Sequence, residues 1–144
     1  MAIVVDNDVT APEIEITAPA PGAVSGIVTV TTNASDNIGV VGVQFLLNGN
    51  PLGSEDLTAP FSISWNTSSI ANGSYNLSAR ARDAAGNTTT SSVVIVNVDN
   101  DVTAPSVSIT SPGAGVVAGT IDISANASDN IGVVGVQFLL NGNP

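Results

Sequence analysis

Apolar and polar residues alternate with a period of two along much of the chain. In the segment 41–47, for example, Gln44 separates Val43 from Phe45, and in the segment 61–65 the apolar residues alternate with serine. This spacing places successive side chains on opposite faces of a β-strand. The pattern is found in the segments 14–16, 28–32, 41–47, 61–65, 75–82 and 94–98. No window has the apolar spacing of a helix, so the pattern predicts an all-β protein.

Turn-forming residues separate these segments, at Pro21-Gly22, Asn48-Gly49, Asn72-Gly73 and Gly86-Asn87. About seven strands in roughly 90 residues are typical of an immunoglobulin-like β-sandwich. We therefore assign strands A, B, C, C′ or D, E, F and G in chain order. Tyr75 precedes Leu77 by two residues at the start of strand F, as in a tyrosine corner. An ordinary core position would explain this tyrosine almost as well.

The phase of the alternation also predicts which side chains form the core. On strand C, the intervening Gly42, Gln44 and Leu46 are predicted to face away from it. The side chains that we expect to be buried together are Val43, Phe45, Leu47, Ile63, Trp65, Tyr75 and Leu77.

The segment NASDNIGVVGVQFLLNGNP occurs twice, at 33–51 and at 126–144. The offset is 126 − 33 = 93 residues, and the same offset relates DNDVTAP at 6–12 to its copy at 99–105. A fixed period of this size indicates tandem modules. We predict a leader or linker at 1–11, a complete immunoglobulin-like module at 12–98, a linker at 99–104, and a partial module with strands A, B and C at 105–144.

Charged residues are only 10% of the chain, and two basic against twelve acidic residues give a net charge of −10. This balance argues against nucleic acid and anionic membrane as partners, because both need basic patches on the protein. The apolar runs are short and carry glycine, so no membrane insertion is expected. The N-terminal MAIVV is too short for a signal peptide and lacks a basic lead, so an export signal would lie outside this chain.

The chain has no histidine, cysteine or lysine. This excludes a histidine-activated serine, a nucleophilic thiolate and a Schiff-base amine. A pair of carboxylates that hydrolyses a glycoside needs a sugar cleft, and aromatic residues are only 3% of the chain. We therefore predict that the chain is not an enzyme, has no catalytic residue and requires no cofactor.

Several phrases of the sequence resemble the bacterial Ig-like modules of secreted and surface proteins. They are DNDVTAP, ASDNIGV, VQFLLNG, NGSY and ARDAAGNTTT. The resemblance covers 12–98 and again 105–144, and such modules are found in adhesins and beside glycoside-hydrolase domains. It implies a β-sandwich and an extracellular or cell-surface location, and it leaves the function open because one fold serves many roles.

Acidic residues are predicted to converge at one pole of the sandwich, where the chain enters and where the B–C and F–G loops lie. Carboxylate and amide oxygens on loops are the ligands that Ca²⁺ prefers. The candidate Ca²⁺ site consists of Asp6, Asp8, Asp36 and Asp83, and its weaker, incomplete counterpart consists of Asp99, Asp101 and Asp129. The alternative is that these are ordinary turn residues, since no loop has the dense spacing D-x-D-x-D-G.

Both cations of the chain, Arg80 and Arg82, lie on strand F and face outward by phase. A pair of arginines on one face is one way to bind an acidic partner. With twelve acidic residues in the chain, cross-strand pairing with a surface carboxylate is the stronger expectation.

The partial module would expose apolar side chains if it stood alone, and its strand C would offer an unpaired edge to another chain. Two explanations remain open. The chain is an excerpt from a longer array of repeats, or its surplus strands pair with neighbouring copies or with other chains by strand exchange. The apolar side chains concerned are Val107, Ile109, Ile121, Ile123, Val136, Phe138 and Leu140.

Two functions from different classes fit this sequence. The first is a non-catalytic extracellular structural repeat: a spacer, stalk or fibre-forming module of a bacterial surface or secreted protein such as an adhesin. The second is an accessory module of a secreted polysaccharide-degrading enzyme that binds carbohydrate or another partner. Saturable binding of a sugar would separate the second function from the first.

Overall fold

The computed structural model describes residues 7–144, which form two compact units. The first unit ends at Asn100 and the second begins at Asp101. Within the described residues all regular structure is β, as the alternation predicts, and no helix is long and apolar enough to cross a bilayer. The strands are β1 (Glu13–Ala18), β2 (Gly22–Val24), β3 (Ile27–Ser35), β4 (Val40–Leu47), β5 (Asn50–Pro51), β6 (Ser62–Asn66), β7 (Gly73–Asp83), β8 (Thr88–Thr90), β9 (Val94–Val98), β10 (Ser106–Ser111) and β11 (Ser124–Ser128).

The first unit consists of two sheets. One has the order β1-β3-β6, and the other has the order β2-β9-β7-β4-β5 with β8 also beside β7. In the predicted lettering these are strands A, B and E facing strands A′, G, F, C and C′. Strand A is divided between the two sheets, because the proline-rich segment 19–21 interrupts it between β1 and β2. The immunoglobulin-like sandwich is therefore confirmed.

The two sheets bury their facing side chains between them. Val43, Phe45, Trp65 and Leu77 are buried, as predicted. The other three predicted core residues are partly buried and pack against this cluster; they are Leu47, Ile63 and Tyr75.

The alternation predicts that Leu46 faces away from the core between the sheets. It is nevertheless not exposed, since only 9% of its surface is accessible to solvent. The segment after β5 runs beside β4, where Leu52 N–H donates to the carbonyl of Phe45 and Val43 bridges to Asp56. Strand β4 is thus covered on part of its outer face as well as on its inner face.

Tyr75 forms the tyrosine corner. Its hydroxyl donates to the carbonyl of Ala71 at 2.9 Å, four residues upstream, which is the bond that defines this motif. Its ring packs edge-to-face on Trp65, with the ring centroids 6.3 Å apart. The hydrogen bond decides between the two explanations of this residue that the sequence left open.

The second unit contains one hairpin-like pair, β10 with β11, whose register repeats that of β1 with β3. Residues 133–139, predicted as strand C, do not form a ladder. Their counterpart β4 pairs with β7, and the second unit has no segment that corresponds to β7. A strand without a partner leaves its backbone groups unpaired, which accounts for the difference.

Candidate metal centre

Three carboxylates from distant parts of the sequence meet at one pole of the first unit. Asp8 precedes β1, Asp36 follows β3, and Asp83 ends β7. One carboxylate oxygen of each residue lies within 4.8 Å of the other two. The structure therefore brings together three of the four residues in the sequence-based candidate site. The fourth, Asp6, lies outside the described residues.

Asp36 is held by a tight turn of the chain. Its Oδ2 accepts the backbone N–H groups of Ile38 and Gly39, both at 3.0 Å. Gly39 has a φ of 142°, which suits glycine and permits the turn. Among residues 7–144, the other oxygen, Oδ1, has no hydrogen-bond partner, and it is inaccessible to solvent. A buried acceptor without a donor is costly, so this oxygen is ready to accept a ligand.

Asp83 is almost completely buried, with 1% of its surface exposed. Asn87 donates its backbone N–H to Oδ1 at 2.8 Å and its side-chain amide to Oδ2 at 2.7 Å. Burial alone raises the pKa of Asp83, but the hydrogen bonds from Asn87 and from the backbone of Gly86 and Ala85 outweigh it and bring the pKa below its ordinary value. Asp83 is therefore ionised at neutral pH.

Asn87 also fastens the incoming segment of the chain to this pole. Its amide donates to the carbonyls of Asp8 and Thr10, both at 3.2 Å. Asn37 donates to Oδ1 of Asp8 at 3.3 Å. The sequence places these asparagines in loops. It does not predict their hydrogen bonds to the segment 8–10, because those bonds depend on the path that this segment takes.

The second unit reproduces part of this arrangement. Oδ2 of Asp129 accepts the N–H groups of Ile131 and Gly132, and Asn130 donates to Asp101. The backbone N–H of Gly132, followed by that of Ile131, holds the pKa of Asp129 below its ordinary value. The Oδ1 of Asp129 is again buried, with no partner in the part of the chain that the structure describes. Asp99, which we predicted to join them, lies at the end of β9 in the first unit.

Away from the pole, Arg82 forms an ion pair with Glu55, Nε to Oε1 at 2.6 Å and Nη2 to Oε2 at 3.2 Å. The hydrogen bond and the charge of Glu55 raise the pKa of Arg82 above its ordinary value. This pairing agrees with the expectation for Arg82, but not with that for Arg80. Arg80 is exposed, and its side chain forms no ion pair with the rest of residues 7–144.

The pole can hold a divalent cation that accepts oxygen ligands. Three carboxylates in close proximity repel one another unless a positive charge lies between them. Nitrogen and sulfur ligands are missing because the chain has no histidine and no cysteine. Ca²⁺ takes six to eight oxygens in flexible geometry, whereas Mg²⁺ needs a strict octahedron. Carboxylates from three separate segments of the chain, together with water, therefore suit Ca²⁺ better.

Comparisons with known proteins agree with this architecture. A family model described as "Bacterial Ig domain" matches residues 12–79 and 105–144. Chitinase A1 of Niallia circulans is 34% identical over 135 residues, which is 89% of this chain and 19% of that enzyme. The chain thus spans about a fifth of this curated relative.

Two solved structures have a similar fold. The fibronectin(III)-like modules of Clostridium thermocellum CbhA are 29% identical with a TM-score of 0.55, over 82% of this chain and 63% of that one. The endo-β-1,4-mannanase from Thermotoga petrophila is 13% identical with a TM-score of 0.53, over 65% of this chain and 21% of that one, and shows the fold alone. The resemblance read from the sequence phrases is confirmed.

Proposed function

The chain belongs to the family of bacterial Ig domains, and we propose that it is a non-catalytic connecting module of a secreted polysaccharide-active enzyme. The match to chitinase A1 supports this setting. The chain corresponds to a minor part of that protein, which is named for its action on the polysaccharide chitin. A stalk module of a surface adhesin would have the same architecture. The relatedness to chitinase A1 favours the enzyme setting.

The position of the aromatic side chains favours a connecting role over sugar binding. Phe45, Phe61 and Trp65 are buried in the core of the first unit, and Tyr75 packs against it. Protein sites that bind polysaccharide chains by stacking need aromatic faces that are open to solvent. The burial of these four rings in the first unit is the observation that supports a connecting role for that unit; in the second unit the one aromatic side chain, Phe138, is 42% accessible.

The acidic pole gives this connecting module a specific property. We propose that Asp8, Asp36 and Asp83 bind Ca²⁺, with the unpartnered Oδ1 of Asp36 as one ligand. Asp8 lies in the segment that leads into the module, whereas Asp36 directly follows β3 and Asp83 ends β7. A cation shared by all three would fasten the incoming segment to the sandwich and fix the direction in which the chain enters.

Binding assays test the connecting role. We expect the chain to show no saturable binding to chitin, cellulose or mannan in pull-down assays and no hydrolysis of their soluble oligosaccharides, with a chitin-binding domain as positive control. Saturable binding to any one of these polymers would contradict the proposal and support an accessory carbohydrate-binding module instead.

A further inference from the structure

The basic residues of the chain are confined to one strand. The chain has no lysine, and both of its arginines, Arg80 and Arg82, belong to β7. Proteases whose specificity pocket carries a carboxylate, such as trypsin, cut the peptide bond that follows a basic residue. The whole sequence offers such a protease two bonds, Arg80–Ala81 and Arg82–Asp83, whereas twelve acidic residues are spread along the chain.

β7 is paired on both sides where these two bonds lie. Arg82 has Gly42 of β4 opposite it on one side and Thr88 of β8 on the other. Arg80 is likewise flanked by β4 and β8. The backbone of β7 is therefore in the interior of its sheet at both bonds and offers no free edge.

The side chains give a different impression from the backbone. Arg80 is exposed, which by itself would suggest an accessible cleavage site. Ala81 and Asp83, the residues that follow the two bonds, are 0% and 1% exposed. Arg82 is in addition held by the carboxylate of Glu55. Recognition of an extended peptide uses its main-chain hydrogen-bonding groups as well as its side chains, and these groups of β7 face β4 and β8.

We propose that Arg80–Ala81 and Arg82–Asp83 are masked cleavage sites for proteases that cut after basic residues, and that cutting requires β7 to leave its sheet. Cleavage would consume one water molecule at the C–N bond, leaving a carboxylate on the arginine and a new amino group on the residue that follows. β7 supplies Leu77, Ala79 and Ala81 to the core, so its release amounts to unfolding of the first unit.

The inference goes beyond the proposed function, because it names a class of enzyme that the folded chain resists. The second unit has long irregular segments but no basic residue, so the same proteases have no target there. Resistance therefore depends on the stability of the first unit alone.

Limited proteolysis of the full chain with trypsin tests the masking. Chelator is present throughout, so the outcome depends neither on the proposed cation nor on sugar binding. The control variant is Ala114→Arg, which adds a basic residue to the exposed, irregular segment 113–123. We expect the wild type to remain intact over a period in which trypsin cuts this variant completely after position 114. Cleavage of the wild type after Arg80 or Arg82 as fast as that of the variant would overturn the inference.

Denaturant distinguishes masking by the fold from resistance of the sequence itself. In urea that unfolds the first unit, trypsin should cut the wild type after both arginines. At lower urea, the logarithm of the cleavage rate should rise with the slope with which the free energy of unfolding falls. An intact wild type in unfolding urea, while Ala114→Arg is cut there, would assign the resistance to the sequence and refute masking. A rate of cutting after Arg82 that does not depend on urea would show local opening of β7 and equally refute it.

Discussion

Two asparagines, Asn87 and Asn100, hold the ends of the first unit. Asn87 binds the backbone of the incoming segment, and Asn100 binds the loop between β6 and β7. The asparagine amide has two donors and one acceptor, so it satisfies backbone carbonyls without adding charge. In a chain with a net charge of −10, this avoids further repulsion at both ends.

Phe45 is the residue on which the core most depends. It is completely buried between the two sheets, so Phe45→Ala should lower the free energy of unfolding by about 3–5 kcal/mol. Ile95→Ala, at a position that is 54% exposed, should change it by no more than about 0.5 kcal/mol. Chemical denaturation measures both values. Equal effects would show that the assigned strand phase is wrong.

The lowered pKa of Asp83 predicts a dependence of stability on pH. A carboxyl whose pKa is lower in the folded state stabilises the fold above its ordinary pKa of 3.8, and this contribution disappears as pH falls through the folded value. With chelator present, the Tm of the wild type should fall more between about pH 6 and about pH 3 than that of Asp83→Asn. Glu13→Gln, on the exposed edge of β1, should follow the wild type. Parallel Tm curves for the wild type and Asp83→Asn would refute this.

At the scale of elements, the outer face of β4 shows how a glycine admits an ion pair. Arg82, on β7, is the direct cross-strand neighbour of Gly42. Glu55 lies on the other side of β4, and its carboxylate accepts a hydrogen bond from Arg82. A Cβ at position 42 would overlap the carboxylate of Glu55 and touch the side chain of Leu57. Glycine here leaves room for the carboxylate of Glu55 and is not required by the backbone conformation.

Gly42→Ala should displace Glu55 and separate it from Arg82. In the wild type, Glu55→Gln should lower the Tm slightly, because the ion pair is still partly exposed to solvent. In the Gly42→Ala background the same change should have no further effect, since the pair is already broken. Gly135→Ala, at the equivalent position of the second copy, has open space around it and serves as the control. Additive effects of Gly42→Ala and Glu55→Gln would contradict this.

The sequence predicts the strands better than it predicts what lies between them. Alternation identified β1, β3, β4, β6, β7 and β9, but not the short strands β2, β5 and β8, and the predicted loops located the pole at which Asp8, Asp36 and Asp83 meet. The sequence does not predict that the segment 52–57 covers Leu46, because this segment is irregular and has no periodicity. Nor did it predict the hydrogen bonds of Asn100, which depend on a loop 28 to 33 residues away in the sequence.

At the scale of the whole molecule, the second unit leaves large apolar side chains exposed. Examples are Ile109, Phe138 and Leu140, which are 64%, 42% and 80% accessible. The segment 126–144 is identical to 33–51, so it has the sequence of β4 and can pair with β7 of another copy, as β4 does. Each large side chain buried in this way contributes roughly 1.5–3 kcal/mol.

A polypeptide of residues 1–144 should therefore form oligomers whose size increases with concentration. A polypeptide of residues 1–100, which keeps the bonds of Asn100, should remain monomeric. Light scattering coupled to size-exclusion chromatography measures both. A monomer in both cases at high concentration would rule out strand exchange between chains.

The acidic pole links the proposed cation to the stability of the whole first unit. Only the folded state brings Asp8, Asp36 and Asp83 together, so a cation that binds them must stabilise the fold. The effect is largest where free calcium greatly exceeds its dissociation constant. Asp122, exposed in the second unit and remote in sequence from these three residues, provides a matched carboxylate for comparison.

The most direct test is thermal unfolding of the wild type, Asp83→Ala and Asp122→Ala, each with calcium and with chelator. At calcium about 100-fold above the dissociation constant, the Tm of the wild type and of Asp122→Ala should rise by roughly 10 °C. Asp83→Ala should show no rise, whatever its own stability. Identical melting curves of the wild type with calcium and with chelator would contradict a calcium-fastened connecting module.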